Sequence, residues 1–167
     1  MANHFYKPHQ AKFPVLELLM SSFSYSREMT IQVVSGLSIQ QLDYNFDSKS
    51  NSIGSLLMHI AALEYLYQRL IFDKRYLNLN ENEFWHGAFC ADLPKRRIRG
   101  NSLSFYLDIM NRVREETISK LNDKDDDWLF ESGDSVLVSQ NNYSNLFHLI
   151  EDEISHVGQI KMIKKRI

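Results

Sequence analysis

His148, Asp152 and His156 follow one another at four-residue steps late in the sequence, and His59 stands within an apolar stretch much earlier. Imidazole and carboxylate are the donor types that hold divalent cations. On a helix, residues four apart lie one turn apart on the same face, close enough for two side chains to grip one ion. Residues eight apart are about 12 Å apart along the axis, too far to share a mononuclear ion, so only one neighbouring pair of the three can ligate. At about 100° per residue, the apolar arc of that helix centres on Ile150, Val157 and Ile160. His156 and then Asp152 sit on its flank, whereas His148 lies well round the far side. Asp152 and His156 are therefore the favoured pair. His59, flanking Leu56, Leu63 and Leu66, completes a two-His, one-carboxylate set if its helix packs nearby.

Three protein donors leave coordination positions open, which separates a catalytic site from a closed structural one. An ion there would act as a Lewis acid, acidifying water or stabilising a thiolate or oxyanion. The donors suit zinc, nickel, manganese or iron(II), and residue identity does not choose among them. The ordinary alternative stands beside this reading: a histidine on an apolar face is commonly a hydrogen-bonded core residue, and polar residues four apart occur on any solvated helix.

Four stretches carry apolar residues at helical spacing and are expected to position these groups. The first begins after Pro14 and ends near Gly36. The second, capped by Asn51 or Ser52, runs to about Phe72. The third runs from Ser102 to about Leu121, and the fourth starts between Asn142 and Asn145 and ends among Lys161, Lys164, Lys165 and Arg166, where the helix dipole favours cations. Ser38 to Asn51 is polar and turn-like, with Leu42, Tyr44 and Phe46 pinning it to the core. About thirty residues between the second and third helices lack a period and read as a long connection with one extra helical turn, of the kind that forms lids or pocket walls. Val136 and Val138 alternate with polar neighbours and suggest a short extended piece. The fold class predicted is all-α, a four-helix bundle with a long connection between helices two and three, in one domain over residues 1–167.

The 167 residues suit one domain, and a core of that size needs neither disulfides nor a structural metal. Lys plus Arg is 19 and Asp plus Glu is 21, for a net charge of −2; no broad cationic surface exists for nucleic acid, and no nucleic-acid partner is expected. The single cysteine, Cys90, permits no internal disulfide. With no secretory leader in the first residues and no run of ~18 apolar residues, the expectation is a cytoplasmic protein without membrane contact.

The segment NSIGSLLMHIAALE, residues 51–64, resembles the second-helix motif of the DinB/YfiT-like superfamily, in which a histidine ligand follows N-S/T-I-G-x-L-L-x-H-I-A. HLIEDEISHVGQI, residues 148–160, is similar to its last-helix motif, H-x-x-x-H followed by G-Q-I. The resemblance runs from the first helix to the last, although the long connection around Trp85 is not diagnostic. It implies an up-and-down-type four-helix bundle, frequently a homodimer, with His59 and His156 as two of three histidine ligands. Asp152 stands where the family usually has its other histidine, a departure that puts metal occupancy in question. Characterised members of the superfamily use a low-molecular-weight thiol such as bacillithiol, mycothiol or glutathione in transfer or isomerisation. The resemblance thus implies a divalent metal, a thiol cosubstrate and a small-molecule substrate. The alternative is a non-catalytic, stress-related bundle, metal-binding or metal-free.

Other residues carry groups capable of chemistry. Gln159 could orient a ligand or make an interhelix hydrogen bond, and His148 could line a pocket rim or lie exposed. Lys95, Arg96, Arg97 and Arg99 could hold an anionic thiol or belong to a solvated loop. Trp85 and His86 could cover a pocket mouth, or Trp85 could fill a satellite apolar contact. Cys90 shows no neighbouring base that would make it a nucleophile, and Asp125 to Asp127 read as a hydrated turn.

Overall fold

A computed structural model describes residues 12–47, 50–89, 98–132 and 141–167. Among them are seven helices: α1 (Pro14–Val34), α2 (Ile39–Leu42), α3 (Ile53–Ile71), α4 (Leu79–Phe89), α5 (Leu103–Leu121), α6 (Asp126–Leu129) and α7 (Asn142–Lys164). The four expected helices are α1, α3, α5 and α7. Three of them start at a short polar side chain that accepts a hydrogen bond from a backbone N–H of the first turn: Ser52 from Ser55, Ser102 from Phe105 and Asn141 from Ser144. α1 is capped from a distance. The Asp126 carboxylate accepts from the N–H groups of Val15 and Leu16, at 3.2 and 2.9 Å. Gly36, with φ +76°, takes the left-handed conformation just beyond the end of α1.

The contacts fix the directions of the helices. Glu64 pairs with Arg114, Gln68 with Thr117, and Asp73 with Lys120, so α3 and α5 run parallel. Arg27 pairs with Glu153 and Lys164 reaches the Val33 carbonyl, so α1 and α7 are also parallel. The ring of His59 meets that of His156 while that of Tyr67 meets that of His148, which makes α3 and α7 antiparallel. The order is therefore up-down-down-up, a correction to the up-and-down arrangement expected. The connection between α3 and α5 is long enough to bring the chain back, so that α5 starts at the same end as α3.

That connection holds α4, three helical turns where one was expected, and α4 packs on α3. The stretch read as a turn after α1 contains α2, whose Ser38 and Gln41 form a capping box. Leu42 is fully buried, but Phe46 lies exposed beneath the Arg166 guanidinium. Val136 and Val138 fall outside the described residues; nearby, Ser132 and Asn141 form an isolated bridge.

Two apolar clusters fill the bundle. One contains Ile53, Leu57, Ile60, Tyr106, Met110 and Ile160; the other contains Leu16, Phe23, Ile71, Leu121, Leu146 and Ile150. Between them lies a charged layer that apolar periodicity does not reveal. Arg27 on α1, Glu64 on α3, Arg114 on α5 and Glu153 on α7 are all buried and mutually paired, with N–O distances of 2.7–3.2 Å. Ser26, Thr30 and Thr117 donate their hydroxyls to the same carboxylates. Two positive and two negative charges balance, and each is multiply hydrogen-bonded, the condition under which charges can be buried. Burial pushes the Glu153 carboxyl up, but Arg27 and Arg114 outweigh it and hold it below its ordinary value. Meanwhile Leu18 and Ile154, which match the helical period, lie largely exposed.

Candidate metal centre

His59 projects from α3 beside α7, where Asp152 and His156 occupy successive turns. One donor atom from each of the three lies within 4.8 Å of the others. His156 Nε2 is 3.3 Å from Asp152 Oδ1, and His59 Nε2 is 4.0 Å from Asp152 Oδ2. The two imidazoles meet edge to face, with centroids 5.0 Å apart. Donors about 2.1 Å from one tetrahedral ion stand about 3.4 Å from one another, so small side-chain adjustments would close the set. All three residues are partly buried.

The remaining ring atoms support the same use. His59 Nδ1 lies 2.8 Å from the Ala88 carbonyl of α4, which fixes the proton on Nδ1 and leaves the Nε2 lone pair facing Asp152. α4 is thus part of the site's outer support. His156 Nδ1 is buried and has no protein partner in bonding geometry. Burial pulls the His156 imidazole down in pKa, but its hydrogen bond to Asp152, the Asp152 charge and the Gln159 side chain outweigh burial and raise it. Without a cation, Asp152 would therefore favour a protonated imidazole; a divalent ion satisfies the same carboxylate. The donor chemistry, the spacing and the oriented His59 ring fit a divalent cation.

Residues 18–167 match the family model described as mycothiol-S-transferase. The chain belongs to that family. This mycothiol-S-transferase family is DinB/YfiT-like, in agreement with the motifs around His59 and His156. The fold is similar to that of a conserved protein from Enterococcus faecalis, known from a crystal structure. The TM-score is 0.71 at 16% identity, covering 90% of this chain and 95% of the other. That likeness concerns the fold alone. No curated protein matches the chain.

Other candidates fall away from the centre or lie elsewhere. His148 is exposed, its Nδ1 3.5 Å from Glu151, and contributes no donor to the cluster. Gln159 is exposed but close enough to act on His156. Arg99 is occupied by the Asp43 carbonyl and the Asn45 side chain. Lys95, Arg96, Arg97 and Cys90 fall outside the described residues, as does the side chain of His86. Trp85 is buried against Tyr65. The aspartates read as a hydrated turn instead build α6, where Asp125 caps the helix and Asp126 holds the start of α1.

Tyr67 was missed. It lies two turns beyond His59 on α3, half-buried, and burial together with the Asp152 charge raises its phenol pKa, so it remains a hydrogen-bond donor at neutral pH. Its eight-residue spacing from His59 was the available signal, hidden because a tyrosine in an apolar stretch reads as core.

Proposed function

We propose that this protein is a divalent-metal-dependent thiol S-transferase in which His59, Asp152 and His156 hold the ion. The observation that carries the reading is the convergence of three donor side chains from two helices onto one point, in a chain of the mycothiol-S-transferase family. A divalent ion held there would supply Lewis acidity, under which a low-molecular-weight thiol would give up its proton to solvent water. The thiolate sulfur then forms a bond to an electrophilic carbon, and the leaving group departs with the electron pair.

The chain's own groups do the positioning. The Ala88 carbonyl holds the His59 ring; Asp152 supplies the negative charge that makes the site cation-selective; Tyr67, close enough to feel that charge, keeps its phenol proton. The substrate of this reading is a small molecule, and the setting is a cytoplasmic homodimer.

Metal content after purification, followed by conjugation of mycothiol to monobromobimane, tests the proposal. About one divalent ion per chain is expected, lost in His59→Ala and His156→Ala together with thiol consumption above the uncatalysed rate. Metal bound without any acceleration would favour the non-catalytic reading in its metal-binding form; absence of divalent binding by a folded chain would end the transferase reading and favour the metal-free form.

A further inference from the structure

A cavity of about 440 Å³ opens between α3, α4 and α5, walled by Tyr65, Phe84 and Trp85 and floored by Ile109 and Val113. That volume is in the range of small-molecule sites, roughly 300–1,000 Å³. It is separate from the metal centre: none of its lining residues is a donor, and none is on α7. Tyr65, its contribution from α3, is about 9 Å along the helix from His59 and about 120° round it.

The charges around it are unevenly satisfied. Glu81 accepts from Tyr65 and from both terminal nitrogens of Arg75, and the hydrogen bonds from Arg75 hold its carboxyl far below the usual range. Glu116 is paired with Arg69, whose guanidinium also covers the Tyr65 ring at 4.6 Å. Arg112 remains. Among the described residues its partner is the backbone carbonyl of Asp108, 3.3 Å from Nε, with no carboxylate in ion-pair range. A cationic guest would therefore meet Arg112 and no free acid, whereas an anionic one would find a planar two-pronged donor. The walls specify the rest of the guest. Trp85 and Tyr65 are tilted by 35° with centroids 5.2 Å apart, and Phe84 stands edge-on to Trp85. Phe84 is 60% exposed, an apolar ring at the mouth.

We propose that this cavity is a second binding site that takes a small monocarboxylate with a flat apolar body, the body against Trp85 and Phe84 and the carboxylate on Arg112. The site stands whether or not the metal centre is catalytic.

Calorimetric titration of the full chain with 2-naphthoate, and with its uncharged counterpart 2-naphthamide, tests this, alongside the NMR signal of the Trp85 indole N–H. Naphthoate should saturate one site, shift the Trp85 signal, and bind at least about ten-fold tighter than the amide. Arg112→Gln, at an exposed position, should abolish the preference for the acid without changing the thermal melt, and Phe84→Ala should weaken both probes. The proposal is overturned by failure to saturate at millimolar naphthoate, or by equal affinity for acid and amide in the unaltered chain. Binding lost in His59→Ala but unaffected by Arg112→Gln would overturn it too, by placing the probe at the metal centre.

Discussion

In the proposed metal site Asp152 would carry more of the chemistry than either histidine, because it lies between them and is the charged member of the set. An imidazole at this position, usual in the DinB/YfiT-like resemblance, would supply one neutral donor, whereas the carboxylate also offsets the charge of the ion. The prediction is specific to the side chain. Asp152→Ala should weaken divalent binding by more than the roughly 10–100-fold that outer-shell substitutions cost, while Asp152→His should keep it within about ten-fold. Competition against a chromophoric chelator measures both; equal affinity for the alanine variant and the unaltered chain would remove Asp152 from the ligand set. His59, Asp152 and His156 were legible because donor type and helical spacing coincide. The Ala88 carbonyl was not, since a backbone group in a stretch without periodicity carries no residue-type signal.

At the scale of the element, α3 matters most, since it bears His59 and touches α4, α5 and α7. Its second residue is Gly54, over which the Tyr106 hydroxyl of α5 packs so closely that an added Cβ would lie 2.5 Å from that oxygen. Tyr106 is fully buried and cannot swing away. Gly54→Ala should therefore cost about 1–3 kcal/mol by overpacking, read from urea denaturation, even though alanine is the better helix former. No loss of stability would mean that α3 and α5 separate without cost. The starts of α3 and α5 could be read from polar side chains placed just before apolar periods, Ser52 and Ser102, whereas α1 has no side-chain cap of its own and α7 is capped one residue earlier than expected, by Asn141. α4 could not be read, because its exposed Leu79 and Phe84 break the amphipathic pattern. Nor could the role of Asp126, whose partners Val15 and Leu16 are more than a hundred residues away.

At the scale of the whole molecule, the buried charged layer ties all four long helices together one turn from the metal centre. Glu153 adjoins Asp152 on α7, and Glu64 follows His59 on α3, so the two guanidiniums that bridge Glu64 and Glu153 also tie together the helices carrying the candidate donors. Removing one carboxylate leaves buried positive charge uncompensated. Glu153→Gln should destabilise the chain by about 3–5 kcal/mol, which for a protein of this size lowers the melting temperature by roughly 6–20 °C. A second variant separates stability from positioning. Replacing Arg27 and Arg114 by Met together with Glu64 and Glu153 by Leu removes all four charges at once. Ser26, Thr30 and Thr117 retain their bonds to backbone carbonyls. Such an exchange is often neutral or stabilising, so the melting temperature should hold or rise. Divalent affinity should nevertheless fall, because an apolar layer lets α3 slide against α7 at little cost whereas paired guanidiniums do not. If the apolar variant instead bound metal as tightly as the unaltered chain, the layer would serve only to fill the core, and the offset of His59 against Asp152 and His156 would be set by the apolar clusters on either side.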